Sequence, residues 1–186
     1  MLEVPPQPNI RPVLPTQKKE IDTRWVEIKF SAPFLARSYF ASCIQAGTIY
    51  VHGGFSAETG ILADFYSCCL FDQPASWRSL QPKQIKAIKP PGLRNHTLNS
   101  HLSNLLLVGG QKNVVDNNGD IYRFDLLSNT WTVCNCLDSK GKKLAIALDS
   151  QTAFTYSKRL TIKRIIFMFL TDMTPYLLNI SKIFSK

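Results

Sequence analysis

Two stretches decide the fold: Thr48-Ile49-Tyr50-Val51-His52-Gly53-Gly54 and Leu105-Leu106-Leu107-Val108-Gly109-Gly110. Each is a β-branched or aliphatic run without alternation that ends in two glycines. Such a run reads as a buried strand stopped by a turn signal. The paired glycines let the backbone take positive φ where a Cβ would clash.

The same landmarks surround both runs. Trp25 and Arg37-Ser38-Tyr39-Phe40 precede the first, and Asp64-Phe65-Tyr66 and Trp77 follow it. Arg94-Asn95-His96-Thr97 precedes the second, and Asp120-Ile121-Tyr122 and Trp131 follow. Gly53 to Gly109 and Asp64 to Asp120 are each 56 residues, and Trp25, Trp77 and Trp131 are spaced by 52 and then 54. Gly54 to Asp64 and Gly110 to Asp120 are both 10 residues. Several landmarks in one order at one period mark a stacked multi-strand unit and its copy.

This pattern resembles the kelch repeat, whose period is about 50 residues. The resemblance rests on the double glycines Gly53-Gly54 and Gly109-Gly110, the Asp-x-Tyr pairs Asp64/Tyr66 and Asp120/Tyr122, and the tryptophans Trp77 and Trp131. A WD-type repeat has a shorter period, about 40–45 residues, and a Trp-Asp pair that this sequence lacks. The resemblance implies an all-β chain: an incomplete kelch-type β-propeller of two clear four-stranded blades and a degenerate partial third. It also implies that Trp77 and Trp131 wedge between neighbouring blades, beside Tyr66 and Tyr122, and that the glycines permit close approach near the axis.

The units divide the chain into a proline-rich leader (1–22), a first repeat (23–80), a second repeat (81–138) and a basic tail or degenerate third repeat (139–186). The leader shows no periodicity and reads as disordered or extended. In the last segment a third double glycine is due near 165, where Ile165-Ile166 stands, yet Leu144-Ala145-Ile146-Ala147-Leu148 remains strand-like and Gln151-Thr152-Ala153-Phe154 looks like a blade opening. Propellers close with roughly 4–8 blades, so two clear ones imply a piece of a longer ring or self-association to complete one.

The formal charge of the 186 residues is +9, and it is unevenly placed. Residues 139–186 hold nine Lys/Arg against Asp149 and Asp172, which makes +7 in that quarter. Five cysteines at irregular spacings oppose a disulfide framework. No secretory leader is apparent at Met1-Leu2-Glu3-Val4-Pro5-Pro6, so a reduced, cytoplasmic or nuclear setting is expected. The apolar run 165–170 is too short to span a bilayer, so no membrane span is expected.

No residues assemble into a catalytic, metal or cofactor signature. His52, His96 and His101 lie on different strands without Cys or carboxylate at ligand spacing. Cys68 and Cys69 are neighbours that point to opposite faces of a strand. Asp64, Asp72, Asp120 and Asp125 recur at blade positions, where Asp bonds its own backbone at turns. The phosphate-binding, dinucleotide and nucleophile-elbow patterns are absent.

Two segments of equal length, 55–63 and 111–119, differ in chemistry. Constant length with varied content is how a stiff frame displays a binding surface. Phe55, Glu58, Lys112, Asp116 and Asn117 are the candidate partner-binding residues. The function expected is a non-catalytic protein-interaction module, a scaffold or adaptor with protein partners and no cofactor. One alternative is an incomplete enzyme or small-molecule-binding propeller. The other is nucleic-acid binding by the basic C-terminal quarter, which no nucleic-acid motif accompanies.

Overall fold

The computed structural model describes residues 25, 27–31, 34–81, 88–135, 147–148 and 150, and the strand backbones of 151–156, 159–164 and 176–179. The expected leader, Cys136, the strand-like stretch 144–146 and the basic cluster 140–143 lie outside the described residues. Eleven strands make three antiparallel sheets, and no helix occurs among the described residues.

The first sheet is a meander of β1 (Ala41–Gln45), β2 (Thr48–Ser56), β3 (Gly60–Cys69) and β4 (Arg78–Ser79). The second repeats it with β5 (Thr97–His101), β6 (Asn104–Val108), β7 (Ile121–Asp125) and β8 (Thr130–Cys134). The third has three strands, β9 (Gln151–Tyr156), β10 (Arg159–Arg164) and β11 (Tyr176–Asn179). β6 and β10 start 55 residues apart, and so do β7 and β11. The third unit therefore keeps the strand positions of the second without its double glycine.

The sheets stack through their first strands, with β1 beside β5 and β5 beside β9. Between the first two sheets lies one apolar core: Ala41 and Phe65 from the first, and Leu98, Leu105, Leu107, Tyr122, Phe124 and Trp131 from the second, with Leu93 from the connection. The alternation of a strand explains the division. His52 pairs with Phe65 on one face of the first sheet, while Val51 pairs with Tyr66 on the other.

One expectation needs correcting here. β2 does not stop at the double glycine but continues to Ser56, with a register shift between His52 and Gly54. A bulge at glycine lets the strand bend without breaking its ladder. β6 does end before its glycines, at Val108. The two glycine pairs nevertheless do the same work. A Cβ on Gly54 would lie 2.7 Å from Ser38 O, and one on Gly110 would lie 2.9 Å from Arg94 O and 2.5 Å from His96 Cβ. Only a residue without a side chain admits the chain that leads into β1 or β5.

Candidate functional site

The loops that join second to third strands lie at one end of the stack, and they hold the candidate partner-binding residues. In the first sheet that connection is a tight hairpin, since Ser56 already pairs with Gly60. Most of residues 55–63 is therefore strand rather than loop. Phe55 is half-buried, and its backbone exchanges two hydrogen bonds with Ser38, at 2.9 and 2.7 Å. Glu58 is exposed at the turn, where its N–H donates to Ser56 Oγ at 3.2 Å.

In the second sheet residues 111–119 form a true loop with a rigid frame. Buried Asn118 donates through Nδ2 to the carbonyls of Gly109 (3.1 Å) and Asp120 (2.8 Å), and its own N–H donates to Gly110 O. Asn113 Oδ1 accepts the N–H groups of Val115 (2.9 Å) and Asp116 (2.8 Å), and its Nδ2 donates to the Asp116 carboxylate. Lys112 N–H donates to Asp116 O, closing the turn. Asn117 pairs with Gln111 and reaches Ala147 O at 3.4 Å. The outcome is an ordered tip on which Val114 is 84% and Val115 85% exposed.

Lys112, Asp116 and Asn117 thus sit on the loop where they were sought, though Asp116 and Asn117 are engaged in holding its shape. The valines at the tip and the asparagines Asn113 and Asn118 escaped the sequence reading. Their signal was present as two adjacent apolar residues bracketed by Asn and Asp in a polar loop.

The seam between the first two sheets holds the other polar features. His52 and His96 are buried, with His52 Nδ1 3.0 Å from His96 Nε2 and the rings edge-on. Burial, and then the charge of Arg37, pushes His52 down to about 3, and burial pushes His96 well below its ordinary value. Both rings are neutral hydrogen-bonding groups at pH 7. Trp131 packs in the same seam against Phe65 (ring centroids 5.2 Å), Phe124 (4.9 Å) and His52 (6.1 Å). Trp77 lies on the opposite face of the first sheet, against Phe34 at 4.4 Å and Phe30 at 6.0 Å. Trp25, the first landmark of the period, is fully exposed and touches neither cluster.

Asp64 departs from the turn-residue reading. It accepts a bidentate ion pair from Arg37, at 2.5 and 2.9 Å, and Arg37 also donates to Gly53 O. The guanidinium lies near the rings of Phe34 and Tyr66, with its charge almost wholly buried. Arg94 is not its counterpart, because Arg94 pairs with Gln111 as Ser38 pairs with Phe55, one position later in the repeat. Asp125 does bond nearby backbone, accepting Leu127 N–H and Ser128 N–H. Asp72 pairs with exposed Arg78. Burial pushes the Cys43 thiol up to about 12, so it is un-ionised at neutral pH.

Comparison with known proteins bears on the fold alone. No protein-family model matches the sequence, and no curated protein matches it. The structure of YjhT is similar to this chain, with a TM-score of 0.51 and 17% identity over 73% of the chain. The matched region spans 35% of that protein's length, so this chain is similar to about a third of it. No helix among the described residues is long and apolar enough to cross a membrane.

Proposed function

We propose that the chain is a non-catalytic protein-interaction module built as part of a kelch-type propeller. The propeller reading is supported by sheets that recur at the sequence period and stack through their first strands, and by Trp131 lodged between two of them. The likeness to YjhT supports a fold of this kind and carries nothing about function.

The observation that carries the interaction reading is the loop tip at Val114-Val115. Two apolar side chains stand in water on a loop held rigid by Asn113 and Asn118. A preorganised apolar tip loses little entropy when a partner covers it, which is the economy a recognition surface uses. The histidines, by contrast, are sealed in the seam and occupied with each other.

The test is affinity capture of protein partners by the full chain, compared with a Val114→Asp/Val115→Asp variant of unchanged circular dichroism. Loss of specific partners from the variant is expected. Retention of every partner would sink the assignment to this loop.

A further inference from the structure

The sheets are tied to one another by a hydrogen bond that recurs along the inner edge of the stack. Asn95 N–H donates to Tyr39 O at 3.0 Å, and Ser150 N–H donates to Asn95 O at 3.2 Å. All three residues precede the first strand of their sheet, and all three hold positive φ without being glycine: 56° at Tyr39, 55° at Asn95 and 50° at Ser150. A second bond repeats beside it. Gly54 N–H donates to Leu93 O at 2.8 Å, and Gly110 N–H donates to Leu148 O at 2.7 Å. Each sheet therefore offers the next a fixed backbone connector. The series ends with the Tyr39 N–H on one side and the Ser150 carbonyl on the other.

The first sheet also presents the face that the second sheet buries. Phe40 is 42% exposed where its repeat counterpart His96 is 5% exposed, and Ser42 is exposed where its counterpart Leu98 is buried. Ile44, on the same face, is 55% exposed. Phe30 and Phe34 cover Trp77 at the outer part of this face and leave the inner strand β1 open. That inner strand is where β5 docks on β1 and β9 on β5.

We propose that the occupant of this face is the third sheet of a second copy of the chain, docked head to tail, and that two copies close a six-sheet ring. In that ring Tyr39 N–H of each copy donates to the Ser150 carbonyl of the other, continuing the series. Three sheets per chain are too few to close a propeller, which takes roughly 4–8, whereas two copies give six and three copies overshoot. A head-to-tail contact closes when the rotation between copies matches the rotation within them, which a repeated connector supplies. The inference rests on the propeller reading and not on the loop-tip assignment.

The experiment is sedimentation equilibrium of the full chain over a range of concentrations, alongside a Ser42→Glu variant. Ser42 is exposed in the single chain, so the new charge leaves its own fold unburdened while standing in the proposed contact. The expected result is about twice the chain mass of 21.0 kDa for the parent. The variant is expected at the single-chain mass with an unchanged β-type dichroism spectrum. A parent at single-chain mass throughout, or a dimer that Ser42→Glu leaves intact, overturns the proposal. The first of these with a β-rich spectrum leaves the interaction reading standing, since the Val114/Val115 variant tests that separately.

Discussion

His52 Nδ1 lies 3.0 Å from His96 Nε2, and this one hydrogen bond joins two buried imidazoles across the seam between the first and second sheets. The remaining nitrogens, His52 Nε2 and His96 Nδ1, meet no polar partner among the described residues. In the second sheet the place of His52 is taken by Val108, which is also buried. The seam thus accepts a plain aliphatic at this position in one sheet and spends a polar pair on it in the other.

That pair makes stability sensitive to acid. His52 is held at about 3 against an ordinary 6.5, so the unfolded chain binds protons below about pH 6.5 that the folded chain refuses. The stability is fully present above 6.5 and is lost as pH falls toward 3. At pH 5 the loss from His52 alone is about 2 kcal/mol. His96 adds to it in the same direction. Urea denaturation at pH 7.5 and 5.0 measures the difference, and His52→Val should reduce it markedly. Equal midpoints at the two pH values would mean that the rings are charged or exposed in the folded protein.

Arg37 and Asp64 set up the next expectation. Arg37 is almost wholly buried, and the Asp64 carboxylate is its one counter-charge among the printed contacts of the described residues. Asp64→Ala leaves that guanidinium buried and unpaired, and should cost about 3 kcal/mol. Asp72→Ala breaks an exposed pair with Arg78 and should cost about 0.5 kcal/mol or less. Denaturant midpoints of the two variants decide it, and similar losses would deny Arg37 its buried place.

Much of this architecture was legible in the sequence, and what was not has a physical reason. The strands around Gly53-Gly54 and Gly109-Gly110 follow from local chemistry: apolar runs, turn residues and a fixed period. The third sheet was obscured because the reading leaned on glycines, yet β9 to β11 keep their spacing without them. Trp25 fitted the period but stands in solvent, since spacing alone does not say what a side chain meets. The His52–His96 bond and the Arg37–Asp64 pair join residues 44 and 27 positions apart, and the fold alone brings them together. The stiffness of the 111–119 loop likewise depends on Asn118 reaching the carbonyls of Gly109 and Asp120.

Glycines at equal backbone strain should differ sharply in cost. Gly110 (φ +88°) and Gly60 (φ +81°) both adopt a conformation that side chains resist. A Cβ on Gly110 would meet the Arg94 carbonyl at 2.9 Å, whereas a Cβ on Gly60 meets nothing within 4 Å. Gly60→Ala should therefore lose about 1 kcal/mol, from the backbone alone. Gly110→Ala should lose about 3 kcal/mol or more, because the lead-in to β5 must also retreat. Thermal or urea melts compare them directly, and equal losses would show that close approach is not what the second double glycine provides.

The two half-repeated tryptophans separate a sealed seam from a partly covered face. Trp131 is packed between sheets against Phe65 and Phe124, so Trp131→Ala should cost about 4 kcal/mol. Trp77 is half-buried, and the rings it meets, Phe30 and Phe34, come from the chain ahead of β1 rather than from a neighbouring sheet. Trp77→Ala should cost about 2 kcal/mol, in proportion to the smaller area it removes from water. Urea unfolding of the variants at low protein concentration, where single chains prevail, gives both numbers. If the Trp77 loss grows with protein concentration while the Trp131 loss does not, the face beneath Trp77 gains its missing cover from another copy. A Trp77 loss as large as that of Trp131 at every concentration would mean that residues 29–34 already seal the face as a sheet would.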